Sequence, residues 1–189
     1  MTNSNQNLAS SQTEKKNLSA KSHMQSSQLM QLFEDELKDI YWAENALVNA
    51  LPMMIQNATS PELIDVLTSH LAETKEQITR LEDIFLTFGK KAAAEKCEAI
   101  AGLIKEAEAI MQDCEIGSMR DAGIIAAAQK IEHYEIATYG TLRQFAETLG
   151  MTEATHMLKT SLEEEKASDE KLTIVAVSAI NVEAAETKA

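Results

Sequence analysis

Apolar residues recur along this chain at steps of three and four, and no stretch shows the strict alternation of a half-buried strand. From Leu29 onward, Leu32, Phe33, Leu37, Ile40, Tyr41, Leu47, Val48 and Leu51 fall on one stripe, which predicts a first helix over roughly 29–56. The run Asn57-Ala58-Thr59-Ser60-Pro61 ends it. Ser60 suits the N-cap of the next helix, Pro61 its first turn and Glu62 the positive end of its dipole. So short a turn predicts a second helix, roughly 61–88, antiparallel to the first and closed by Gly89 as a C-terminal cap. About 30 residues intervene before the next long pattern, and within them Cys97, Ile100, Leu103, Ile104, Ala107, Ile110 and Met111 predict a shorter helix across the bundle. A connection of that length permits a crossover, bringing the third long helix back parallel to the second. Third and fourth long helices, roughly 119–148 and 151–179, meet tightly around Gly150. The expected fold is all-α, a ferritin-like four-helix bundle over residues 29–179 whose long connection between its second and third helices carries an extra short helix.

The ends differ in composition. Residues 1–28 are rich in Ser, Asn, Gln and Lys with almost nothing to bury, so ordering them would cost backbone entropy without return and a flexible N-terminal arm is expected. Residues 180–189 are expected to form a frayed C-terminal tail.

Shifting the chain by 91 residues superposes the two predicted hairpins. It matches Ile40 to Ile131, Glu44 to Glu135, Ala46 to Ala137, Leu51 to Leu142, Leu67 to Leu158, Leu71 to Leu162, Glu73 to Glu164, Lys75 to Lys166 and Leu81 to Leu172. Leu, Ala and Glu coincide often in helical sequence, so the agreement of glutamate positions is the informative part.

Charge narrows the partners. With 30 Asp and Glu against 17 Lys and Arg, no nucleic-acid or anionic-membrane partner is expected. No apolar run approaches the roughly 20 residues that span a bilayer, and the first residues lack a signal-peptide core, so a cytoplasmic location is expected. Cys97 and Cys114 are too few for a disulfide framework and are not spaced as a metal pair, which leaves buried or idle thiols.

Several acidic residues fall on faces that should be buried. Glu44 interrupts the stripe of Leu37, Ile40, Tyr41, Leu47, Val48 and Leu51, so a straight helix points it into the core. A carboxylate there costs several kcal/mol unless it is paired or bound to metal. In the third long helix Glu132 and Glu135 lie one turn apart on the face of Ile125, Ala128, Tyr139 and Leu142. In the fourth, Leu158, Glu165 and Leu172 are spaced by heptads and Asp169 follows Glu165 by four; in the second, Glu73 sits beside His70 and Thr74 at the edge of the apolar face. A bundle core that takes a Glu from each helix, with extra ligands one turn away, suits hard cations and is how carboxylate-bridged di-iron and di-manganese sites are built.

The candidate ligands are Glu44, Glu73, Glu132, Glu135 and a fourth-helix carboxylate. The repeat favours Glu164 for that place, and heptad spacing favours Glu165 with Asp169. The Glu-x-x-His that usually completes such a site is not found at Glu73, Glu164 or Glu165. His70 and His133 are available as substitute ligands or as hydrogen-bonded boundary histidines. Glu34, Asp35, Glu36, Glu76, Glu82, Glu147, Glu153, Glu163 and Glu170 are assigned to the solvated face. Tyr41, Tyr134 and Tyr139 are either half-buried core residues or donors to ligand carboxylates.

The stretches LFEDELKDIYWAENAL, HLAETKEQITRLE, RDAGIIAAAQKIEHYEIATYGTL and LEEEKASDEKLT, in that order and spacing, closely resemble the YciF-like family of bacterial ferritin-like stress proteins. The resemblance covers about residues 29–176 and implies a rubrerythrin-like bundle, a homodimer, and a metal site among the glutamates of the four helices. Rubrerythrin-type enzymes carry a Glu-x-x-Glu pair on the third helix with a tyrosine seven residues on, which Glu132, Glu135 and Tyr139 resemble.

Two functions from different classes follow. The first is a stress-related protein with two iron or manganese ions acting on peroxide or oxygen, the metal serving as Lewis acid or redox centre. The alternative is a non-enzymatic helical-bundle stress or shell-cargo protein without bound metal, whose inward acids pair with bases. Inward acids outnumber nearby bases, of which only His70 and His133 are evident, and this favours a cation. A homodimer and a larger assembly through the N-terminal arm are the partner expectations, with exposed residues of the first two helices and Met24, Met30, Met53 and Met54 available either for a dimer face or, equally, to finish the monomer core.

Overall fold

The computed structural model describes residues 27–186, and within them the chain is a helical bundle with no strand. Five helices of three turns or more form it: α1 (Gln28–Asn57), α2 (Pro61–Thr87), α3 (Glu98–Asp113), α4 (Ser118–Thr148) and α5 (Thr152–Val175). The last of these widens into a π-turn, Ala176–Ile180, and continues as a short α6, Asn181–Glu186. Almost all of the expected N-terminal arm lies outside the described residues, as does the end of the tail beyond residue 186.

The caps follow from the sequence. Ser27 accepts a hydrogen bond from the Met30 N–H at 3.1 Å, and Ser60 from the Leu63 N–H at 3.3 Å, as the Ser-Pro-Glu start implies. Gly89 at φ 77° and Gly150 at φ 69° turn the chain in the left-handed region after α2 and α4. Pro52 lies inside α1 and removes one backbone donor. The helix continues past it because Leu51 and Met54 on either side are buried in the core.

Contacts between the helices fix their directions. Tyr41 of α1 meets Glu82 of α2, and Phe33 meets Phe88, so α1 and α2 are antiparallel. Gln129 and Ser168 link α4 and α5 in the same antiparallel sense, as Arg80 with Ser161 and Lys171 with Glu73 link α2 and α5. The crossover is set by Asp121 in the first turn of α4. Its carboxylate, 2% exposed, accepts from the Thr59 N–H at 2.7 Å, the Thr59 hydroxyl at 2.6 Å and the Ser60 N–H at 2.9 Å. A negative charge thus sits at the N-terminus of α2, where the helix dipole favours it, and α2 and α4 begin at the same end and run parallel. This is the ferritin-like connectivity.

Between them, α3 carries the chain back along the bundle, burying Ile100, Ala107 and Met111. It lies very close to α4 at Gly123, where a Cβ would come within 2.5 Å of the Ile110 side chain. Phe33, Leu37, Ile40, Leu47, Leu63, Leu67, Leu81, Leu142, Leu158 and Leu172, all fully buried, make the core above and below its polar centre. Met30 and Met54 belong to this core, whereas Met53 stays 38% exposed and Met24 lies outside the described residues. No helix among the described residues is long and apolar enough to cross a membrane.

Replacing Asp121 by Ala leaves three donors at the start of α2 without their charged acceptor and is expected to cost about 2–3 kcal/mol, with Asp121→Asn losing less. Urea unfolding measures this, and an unchanged midpoint in Asp121→Ala would show that water serves those donors equally well.

Candidate metal centre

Burying the apolar stripe of α1 carries Glu44 inside with it, and the carboxylate is fully buried. From α4 come Glu132 and Glu135, one turn apart, from α5 Glu165 and from α2 His70, none more than 2% exposed. One potential ligand atom from each of His70, Glu132, Glu135 and Glu165 lies within 4.8 Å of the others. Glu44 adjoins this group at Glu135 and feels the charge of Glu165. Each of the four bundle helices therefore supplies a side chain to one buried point.

A partial shell of hydrogen bonds holds these groups. The Tyr139 hydroxyl donates to Glu44 Oε1, Gln77 Nε2 to Glu165 Oε1, and Ser168 Oγ to Glu132 Oε1 at 2.9 Å. His70 Nε2 stands 3.4 Å from the same Glu132 oxygen. The remaining oxygens, Glu44 Oε2, Glu132 Oε2, Glu165 Oε2 and both of Glu135, are buried without a hydrogen-bond partner among the described residues. Native interiors seldom leave so many acceptors unmet, since each costs desolvation that nothing returns.

Burial, and next the charge of Glu165, hold the carboxyls of Glu44, Glu132 and Glu135 well above the ordinary carboxylate range. Tyr139 is pushed up as well, by burial and then by Glu44 beside it. Convergent oxygens with no donor of their own, joined by one imidazole, are the ligand chemistry of a hard or borderline divalent cation. Cys97, its thiol donating to the Tyr134 hydroxyl, and the half-exposed Cys114 are both free and take no part in the cluster.

Three of the seven carboxylates singled out by sequence stand at the rim. Glu164 forms a forked ion pair with Arg80, at 2.8 and 2.6 Å, and Arg80 also donates to Ser161 at 2.8 Å. Glu73 lies 3.5 Å from Lys171 through Oε1. Asp169 accepts from Gln129 at 3.1 Å and lies 3.5 Å from the exposed His133. The structure thus brings together Glu44, Glu132, Glu135 and Glu165, and it turns Glu73, Glu164 and Asp169 toward basic or amide partners.

Arg80 and Lys171 are bases that the helical patterns do not single out, as are the donors Gln77 and Ser168. The 91-residue shift relates Arg80 to Lys171, Glu73 to Glu164 and Gln77 to Ser168, so the repeat holds the signal that finds all four. A histidine does enter the cluster, but it precedes Glu73 by one turn. The single stretch in which a glutamate is followed by a histidine three residues on among the described residues, Glu153 to His156, is exposed at the start of α5. Of the nine acids assigned to the solvated face, seven are exposed and Glu34 and Glu36 are half-buried.

Residues 28–185 match a family model described as a domain of unknown function, DUF892. The chain is 44% identical over 154 residues to Protein YciF of Escherichia coli (strain K12), covering 81% of this chain and 92% of that one. The crystal structure of the E. coli stress protein YciF superposes with a TM-score of 0.79 at 42% identity, over 82% of this chain and 98% of that one. YcfI from Rhodopseudomonas palustris superposes with a TM-score of 0.76 at 46% identity, over 80% and 96% of the two chains.

The raised carboxyls set a sign for stability. The metal-free folded protein keeps protons on Glu44, Glu132 and Glu135 that the unfolded chain releases above its ordinary value near 4.5, so it binds more protons than the unfolded chain and loses stability as pH rises through the folded values. The urea midpoint of chelator-treated protein is expected to be lower at pH 8 than at pH 5.5, with a shallower slope in Glu135→Gln. A midpoint that climbs over this interval would contradict the assignment.

Proposed function

The chain belongs to the DUF892 family, and we propose that it is a YciF-like, ferritin-like stress protein that holds two iron or manganese ions at the buried carboxylate cluster and acts there on peroxide or oxygen. The observation that carries this reading is the set of buried carboxylate oxygens, on all of Glu44, Glu132, Glu135 and Glu165, that have no hydrogen-bond donor. Two divalent cations would neutralise the four carboxylates, and two is the number that ferritin-like bundles of this type hold.

Glu44, Glu132, Glu135, Glu165 and His70 would hold the metals, which would supply Lewis-acid and redox chemistry toward a bound oxygen species. The protein's own part is orientation and exclusion of water. Tyr139, Ser168 and Gln77 each hold one oxygen of a carboxylate and leave the other without a donor. The fully buried Tyr139 keeps its phenolic proton on the Glu44 side of the site, where burial and the neighbouring carboxylate hold it. Apolar layers formed by Leu37, Ile40, Leu142 and Leu172 shield the cluster from bulk solvent.

One observation favours the alternative, a non-enzymatic bundle without metal. Tyr139, Ser168 and Gln77 already satisfy part of Glu44, Glu132 and Glu165, and protonated carboxyls could share the rest.

Titration with Mn(II), followed by elemental analysis of the desalted protein, separates the two readings. About two equivalents per chain are expected for the native protein, and a free concentration 100 times the dissociation constant should add about 2.7 kcal/mol of stability for each ion bound. Glu44→Gln with Glu135→Gln should lose most of that uptake while staying folded. No uptake by the native protein, with Mn(II) or with Fe(II) under anaerobic conditions, would overturn the metal reading and leave the inward glutamates structural.

A further inference from the structure

Glu73 is the candidate ligand whose surroundings differ most from those of the cluster. It stands on α2 one turn after His70, with its side chain 27% exposed, yet Oε2 is buried and has no hydrogen-bond partner. That oxygen faces His70 Nδ1 at 4.0 Å, and Nδ1 is itself buried without a partner. The other ring nitrogen, Nε2, points to the cluster, 3.4 Å from Glu132. Lys171 of α5 stands 3.5 Å from the remaining oxygen, Oε1, on the solvent side.

An imidazole that binds a metal through one nitrogen must carry its proton on the other, and an acceptor opposite the metal fixes that tautomer and the plane of the ring. Two unpartnered buried atoms face each other here, and a small adjustment of the Glu73 side chain brings its oxygen within hydrogen-bond reach of Nδ1. From this geometry we infer that Glu73 is a positioning residue: held by Lys171, it accepts the Nδ1–H of His70 and turns Nε2 toward the metal cluster. It is not itself a ligand. The inference rests on the metal reading above and changes the part Glu73 plays in it.

The contrast with Glu164 supports this. The 91-residue repeat places Glu164 at the position of Glu73, but there the place of His70 is taken by Ser161, and Glu164 is saturated by the forked pair with Arg80. Only the α2 copy retains an unpartnered oxygen, and only the α2 copy has an imidazole to orient.

The test combines two readouts on the full chain with Glu73→Ala, Glu73→Gln and Lys171→Ala. In the metal-free protein, nitrogen-15 resonances of the histidines report the tautomer. His70 is expected to carry its proton on Nδ1 in the native protein and in Glu73→Gln, whose amide oxygen still accepts, and to lose that preference in Glu73→Ala. In Mn(II) titrations Glu73→Ala should bind about 10–100-fold more weakly with the number of metals per chain unchanged, while Glu73→Gln stays close to native and Lys171→Ala falls between.

A lower metal number in Glu73→Ala would make Glu73 a ligand and overturn the inference. So would unchanged affinity together with an unchanged His70 tautomer. If the native protein takes up no metal, the function proposed above fails, and the nitrogen-15 readout alone decides whether Glu73 orients His70.

Discussion

Four carboxylates and one imidazole sit at the centre of a bundle whose other interior positions are almost all apolar, and the rest of the structure is arranged around the cost of keeping them there. Each buried ion costs several kcal/mol that packing alone does not return. The chain meets part of that cost with neutral donors, Tyr139, Ser168 and Gln77, instead of with buried lysine or arginine. Arg80, the guanidinium nearest the cluster among the described residues, is committed to Glu164 at the rim. A core that supplies acceptors in excess and keeps its strong bases outside is suited to a cation from solution.

The placement of those groups depends on the order of the helices. Because Asp121 pins the start of α4 to the start of α2, Glu132 comes opposite His70 while Glu135 comes opposite Glu44. An ordinary up-and-down bundle would reverse α4 and separate these partners. The Arg80–Glu164 and Lys171–Glu73 pairs then close the seam between α2 and α5 on either side of the site, as two copies of one ion pair. Their equivalence under the 91-residue shift, with that of Glu44 and Glu135, makes the bundle read as two related hairpins.

The helices and their connectivity were legible because they rest on local rules. Ser60-Pro61-Glu62, Gly89 and Gly150 mark the ends, and periodic Leu and Ile mark the faces. Glu44 and Glu135 were legible for the same reason, since each interrupts an apolar stripe at a position that a straight helix must bury. Helix α5 was harder. In Glu163-Glu164-Glu165-Lys166 four polar residues cover all sides of one turn, and only packing against α2 and α4 decides that Glu165 points inward while Glu164 meets Arg80. His70 could not be assigned from its own helix, because the partner that places its Nε2 in the cluster, Glu132, comes from α4. Periodicity also says nothing of whether a polar residue at the edge of a stripe, such as Gln77 or Ser168, donates inward.

The most direct measurement of the central claim is an anomalous difference map from crystals of the Mn(II)-loaded protein, collected on the high-energy side of the manganese edge. Two peaks are expected inside the bundle, each within bonding distance of carboxylate oxygens from Glu44, Glu132, Glu135 and Glu165, with one of them also bonded to His70 Nε2. Peaks only at surface carboxylates, or a core free of anomalous density in metal-saturated crystals, would contradict it.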